Sequence, residues 1–332
     1  MRVMVTGAAG FLGRLLVQRL LAAGELRGRR IDTLLLLDQR LDGFPQDPRL
    51  RYLSGSITDP ALLRRGLADG IDVVFHLVSI AGGAAEDNYA LGREVNLLAS
   101  LHLLELLRNA RQPPVLVYAS SVAVYGGELP ARMDEQQRPR PALSYAAHKL
   151  MIEQQLSDLT RRGELDGRAL RLPGIVARPG DGSGLRSAFM SELLQRFAAG
   201  EAYLCPVSPA ATAWWMSAAC CVDNLLLGAG LDLGADDPSR VWQLPVLHLS
   251  IAEVVDALAE VFGDERRALV AYQPDAGLEA LFGRFPPLRT PIARERGFRH
   301  DGTARTLVRR ALNLDLRPRT SRTTHMLAQE ES

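Results

Sequence analysis

The sequence predicts an α/β chain built on a doubly wound parallel sheet, followed by a smaller mixed α/β unit. Two observations carry this. Short strands that are apolar along their whole length alternate with helical stretches, as in a parallel sheet covered on both faces. A glycine run, "VMVTGAAGFLG" at residues 3–13, joins the first strand to the first helix.

The elements follow in order. Arg2–Thr6 is the first strand, and Phe11–Ala23 repeats leucine at helical spacing. "DTLLLLDQR" is a buried strand ending at Asp38, and "RYLSGSITDP" a short strand and turn. A helix then starts at Pro60 with Asp59 as its N-cap. "IDVVFHLVS" is another strand, Glu86–Arg108 one long helix, and "PPVLVYASS" a strand. Ser144–Arg162 is a helix, and "DGRALRLPG" closes the series. Residues 1–176 are expected to form a dinucleotide-binding unit. Residues 177–316 form a smaller substrate-binding unit interleaved with it, and 317–332 have too few apolar groups for fixed structure.

Composition narrows the function. The 332 residues are 47% apolar and 23% charged, with a net charge of +1. That is a soluble globular balance with no general attraction to nucleic acid or acidic membranes. No apolar run approaches the ~18 residues of a membrane span. Cys205, Cys220 and Cys221 form no disulfide framework and lack zinc spacing. A cytoplasmic protein that binds a small molecule and needs no metal is expected.

The glycine run follows a strand, opens a helix and begins a βαβ unit. There Gly7 permits the turn, Gly10 lets backbone approach a pyrophosphate, and Gly13 lets helix and sheet pack closely. The helix N-terminus offers free N–H groups to the phosphates. Asp38 stands 25 residues after Gly13 at a strand end. A carboxylate there accepts from a ribose diol and repels a 2′-phosphate, so NAD is favoured over NADP. Arg40 is the one nearby cation that leaves NADP open.

Tyr145 and Lys149 are four apart in "SYAAHK" and share a helix face. Ser121 precedes Tyr145 by 24 residues and ends a strand, where ligand crevices of parallel sheets lie. A tyrosine is about 0.1% ionised at pH 7, and an adjacent cation lowers its pKa by about 1–3 units. Lys149 and the nicotinamide cation would lower it here. Tyr145 is then the proton-transfer group, Ser121 holds the reacting oxygen, and the cofactor does the redox chemistry.

"TGAAGFLG", "DVVFHLVS", "REVNLLAS", "SSVAVYGG" and "SYAAHK" stand in the order and spacing of the extended short-chain dehydrogenases/reductases, which the chain resembles. That family includes sugar-nucleotide epimerases and dehydratases. The resemblance implies a Rossmann domain, NAD, and homodimers that pair the two long helices. It gives Asn96 a catalytic role, supporting Lys149 through water. It places Leu77, Val78 and Ser79 beside the cofactor and Leu172 and Pro173 against the nicotinamide. Ser56 and Ile57 meet the adenine where the family usually has an Asp-Ile pair. Phe11, Leu12, Gln39, Asn96, Tyr145 and Lys149, the last at the nicotinamide ribose, complete the expected cofactor set.

"AAGELRGRRI", "RRGELDGRALRLPGIVARPG" and "CPVSPAATAWWMS" are similar to a branch that oxidises the C2 hydroxyl of a four-carbon sugar acid. The implied substrate set is Ser79, Ile80, Ser121, Val122, Tyr145, Arg178, Trp214 and Trp215, with Arg178 or Arg186 for a carboxylate. Two departures imply a more apolar pocket. Ala213 stands where a basic residue is expected before the tryptophan, and Gly174 where a hydroxyl residue is expected. Val122 and Ala123 after Ser121 disfavour dehydration, leaving an epimerase or a non-catalytic dinucleotide sensor as alternatives.

Overall fold

Seven strands form one parallel sheet. They are β1 (Arg2–Thr6), β2 (Thr33–Asp38), β3 (Leu50–Ser54), β4 (Val73–His76), β5 (Val115–Ser121), β6 (Asp166–Leu172) and, beyond two strands of a smaller sheet described below, β9 (Val241–Gln243). Their spatial order is β3-β2-β1-β4-β5-β6-β9, and all six pairings are parallel. The order reverses between β1 and β4, where a doubly wound sheet opens its ligand crevice. This computed structural model describes residues 1–178, 186–234, 237 and 240–314. The expected tail at 317–332 lies outside them.

Side-chain alternation along the strands builds two cores. Val3, Val5, Leu34, Leu36, Phe75 and Val117 face α1 (Phe11–Ala23) and α8 (Ala218–Gly230). Met4, Leu35, Leu37, Val74 and Leu116 face α2 (Pro60–Leu67), α5 (Ala99–Arg108) and α6 (Ser144–Arg161). Burying each large side chain contributes roughly 1.5–3 kcal/mol. Asp59 caps α2 by accepting from the Ala61 N–H at 2.9 Å.

A third core gathers residues from 176 onward around α7 (Phe189–Ala199) and α9 (Ile251–Phe262). It packs on a small sheet of β7 (Gly174–Val176), β8 (Thr212–Ser217) and β10 (Leu247–Ser250). The same stretch of chain also returns to the large sheet. Trp242 of β9 and α8 belong to its first core, and β9 extends its edge.

Two features differ from the sequence expectation. The long helix at Glu86–Arg108 is instead α3 (Gly82–Asp87), α4 (Tyr89–Gly92), a π-helical turn (Arg93–Leu98) and α5. Asn88 causes the first break: its backbone leaves helical geometry, and its side chain accepts from the Leu91 N–H at 3.1 Å. In addition, Glu25–Leu26 pairs with Arg29–Arg30 in an unexpected hairpin. Arg27 and Gly28 make its turn, both at positive φ (55° and 69°), as a two-residue hairpin loop requires.

Candidate active site

A cavity of about 820 Å³ opens at the carboxyl ends of the sheet strands. Its cofactor end is built from the glycine loop. Gly7 sits at φ 70°, and a Cβ there would lie 2.8 Å from the Val78 nitrogen. A Cβ on Gly13 would lie 2.1 Å from the Gly7 carbonyl, so loop and helix touch only through glycine. Gly10 begins α1, and no side chain caps that end. The first-turn N–H groups therefore remain available to a phosphate.

Asp38 stands on the same cavity wall. Its carboxylate accepts from the Ala9 N–H at 2.9 Å and the Gln39 N–H at 2.7 Å, which fixes the loop after β1. Arg40 is exposed and does not line the cavity. A glycine cradle, an uncapped helix start and a carboxylate at the β2 end together fit the diphosphate and ribose of NAD. Phe11, Leu12, Gln39, Ser56, Ile57, Leu77, Val78, Leu172 and Pro173 also line this cavity. Ser56 offers no acidic group to an adenine, and its hydroxyl bonds Thr58 at 2.8 Å.

The reacting end gathers Ser79, Ile80, Ser121, Val122, Tyr145, Lys149, Arg178 and Trp214. Ser121 ends β5, and Tyr145 and Lys149 lie on the first two turns of α6. Loss of water around the phenol raises Tyr145 above its ordinary value, while the Ser121 and Ser79 hydroxyls and the Arg178 guanidinium pull it down. Lys149 Nζ lies 5.5 Å from the Tyr145 ring centre, but it donates to the Ala119 carbonyl at 2.7 Å. Burial brings Lys149 itself down to about 7, against the upward pull of Glu153.

Two expected residues lie outside the cavity lining. Asn96 is buried, and its side chain closes both backbone polar groups of Ile80. It accepts from the Ile80 N–H at 2.7 Å and donates to the Ile80 carbonyl at 3.1 Å. It braces the Ser79–Ile80 wall. Trp215 is the other. Successive residues of a strand face opposite ways, so Trp214 reaches the cavity while Trp215 enters the third core. The Trp214 indole donates to the Pro286 carbonyl at 2.7 Å and leaves only its apolar face to a ligand.

Sequence reasoning did not find the rest of the substrate wall, which includes Met190, Phe282 and Phe285. No motif marks them, because they arrive from two later segments, α7 and the stretch around 282–285. They also explain Gly174. A Cβ there would lie 2.9 Å from the Trp214 carbonyl and 2.7 Å from Met190 Cε, so Met190 fills the space of a larger residue. Arg178 is exposed to the cavity, its guanidinium 5.4 Å from the Phe11 ring centre. Arg186 is exposed and lines the same cavity.

Comparison with known proteins agrees with this geometry. Residues 3–214 match the model of the NAD dependent epimerase/dehydratase family. A D-erythronate dehydrogenase of Cupriavidus necator is 39% identical over 293 residues, covering 86% of this chain and 90% of that protein. One from Haemophilus influenzae is 29% identical, covering 95% and 100%. Among solved structures, a nucleoside-diphosphate-sugar epimerase from Agrobacterium tumefaciens aligns with a TM-score of 0.88 at 29% identity, covering 95% and 94%. A glycine cradle, a serine at the β5 end and a tyrosine–lysine pair on α6, set in a chain so matched, place this protein in the NAD dependent epimerase/dehydratase family.

Proposed function

We propose that this protein is an NAD-dependent dehydrogenase of a small sugar acid, with the C2 hydroxyl of D-erythronate as the group oxidised. One observation carries the reading: the Tyr145 phenol stands between two serine hydroxyls and an arginine, in the cavity that holds the NAD cradle. Ser121 and Tyr145 hold the substrate hydroxyl, and Tyr145 takes its proton. Bound NAD+ supplies the two-electron acceptor. Asn96 keeps the Ser79–Ile80 wall in place, and Lys149 stands behind the phenol. A carboxylate next to the reacting carbon meets Arg178, for which no carboxylate partner stands among the described residues. The two similar D-erythronate dehydrogenases support the substrate class.

The test compares D-erythronate with its neutral tetritol in wild type and Arg178→Met. KM for the acid should rise about 10–100-fold in the variant, the effect of losing a charge-assisted contact. KM for the tetritol should not change, while loss of the positive charge beside the Tyr145 phenol falls on kcat for both substrates. An equal rise in KM for both would remove Arg178 from carboxylate recognition.

The same reading includes a homodimer in the cytoplasm. Of eight exposed large apolar side chains among the described residues, Tyr89, Leu91, Leu98 and Met151 lie on the segment 89–98 and on α6. Leu104 and Leu107 on α5, and Ile152 and Leu156 on α6, are buried in the chain's own core. Light scattering at low concentration should give twice the chain mass. A monomer with full activity would contradict the dimer. The three cysteines are free and buried, which supports a reducing compartment, and no described helix is long and apolar enough to cross a membrane.

A further inference from the structure

Below the reacting end lies a charged group that the proposed mechanism does not use. Glu153 follows Lys149 by four residues and Tyr145 by eight, so all three share one side of α6. Its residue is 0% exposed. A lone carboxylate there would be strongly unfavourable, and this one is met by donors from two adjacent strands. Ser120 Oγ on β5 donates to it at 2.5 Å. Arg171 on β6 donates from Nε at 3.0 Å and from Nη2 at 2.7 Å. Arg171 also donates from Nη1 to the Tyr125 hydroxyl at 3.0 Å.

The placement of these donors matters. Ser120 and Arg171 face each other in the sheet register, and the next pair along is Ser121 and Leu172. Glu153 therefore grips the strand pair directly behind the catalytic serine and the nicotinamide wall. We infer that Glu153 is a positioning residue. It ties the helix carrying Tyr145 and Lys149 to the strand ends carrying Ser121 and Leu172, and among the described residues it is the one carboxylate that faces the Lys149 ammonium.

Lys149 is faced by Tyr145 and Glu153 from its own helix, by Tyr118 from β5 at 4.7 Å, and by His76 from β4. Burial and Lys149 push His76 down to about 3, so it carries no charge at neutral pH. Burial likewise keeps Tyr118 un-ionised. Arg171, from β6, lies behind Glu153 and neutralises it in part. Among the described residues, removing Glu153 takes away the anion that favours the Lys149 proton.

Lys149 is the only lysine in the 332 residues, so protein grown with 13C,15N-lysine gives one side-chain signal to titrate. Single replacement of Glu153 would strand Arg171, so the test uses Glu153→Met with Arg171→Met, which keeps volume and removes both charges. The milder Ser120→Ala cuts one link and leaves the pair. In the folded double variant the Lys149 midpoint should fall by about one unit. Its kcat should fall about tenfold or more, with NADH affinity unchanged by fluorescence titration. Ser120→Ala should lower kcat roughly threefold and leave the midpoint in place. A folded double variant with the wild-type midpoint overturns the inference, and so does Ser120→Ala with wild-type kcat. If the double variant does not fold, Ser120→Ala decides. The inference rests on Tyr145 and Lys149 as the proton-handling pair, but the titration is read without substrate and fails independently of that reading.

Discussion

Tyr145→Phe should lower kcat by about 10²–10⁴-fold, the usual contribution of a general acid–base group, while NADH still binds. The hydroxyl is the only part removed, and no other titratable hydroxyl of its kind lines the reacting end of the cavity. The ring remains to pack against Gly82, where a Cβ would lie 3.7 Å from it. The cofactor cradle is formed by other residues, so binding is untouched. The loss should fall on kcat rather than KM, because the proton moves only in the transition state. Turnover near wild type would remove Tyr145 from the chemistry. Fluorescence titration with NADH distinguishes a lost proton-transfer group from a collapsed site.

Lys149→Met should lower kcat by roughly 10² or more, yet make the cofactor-free protein more stable. The ammonium is buried against the Tyr118 ring and the Ala119 carbonyl, and burial lowers its pKa to about 7. In the unfolded chain a lysine titrates near 10.4. Between these values the unfolded chain binds the extra proton, so wild-type stability rises as pH goes from about 7 to about 10. Below about 7 both states are protonated, and the native state carries the full cost of the buried charge. Methionine fills similar space without charge. Its advantage should be on the order of a few kcal/mol at pH 6, less about one for the lost hydrogen bond, and should shrink towards pH 10. Denaturant melts of wild type and variant across that range check it. A variant less stable than wild type at pH 6 would show that the ammonium is not a buried charge in the native protein.

The cofactor half of the site was legible in the sequence because it depends on short local patterns. Gly7, Gly10 and Gly13 lie within seven residues, and Asp38 ends a strand whose apolar run is unmistakable. The Tyr145–Lys149 spacing was legible for the same reason, since helix geometry turns four residues into one face. What failed depended on tertiary context. Periodicity suggests one helix across Glu86–Arg108, but it does not register that the Asn88 side chain can cap a new helix. Trp214 and Trp215 are identical in type and adjacent, and only the facing of β8 separates a cavity wall from a core residue. Glu153 reads as an ordinary helix carboxylate until β5 and β6 bring Ser120 and Arg171 to it.

The central claim is net oxidation of a sugar acid by NAD+ at Tyr145. The most direct measurement follows nicotinamide absorbance after D-erythronate is added to the wild-type protein, with NAD+ and then with NADP+. The account predicts many turnovers, with NADH far exceeding enzyme and a 2-oxo acid as product, and a lower kcat/KM with NADP+ because Asp38 stands at the ribose end of the cradle. A bound cofactor that is never released reduced, while a nucleotide sugar is interconverted, would contradict it and make the protein an epimerase.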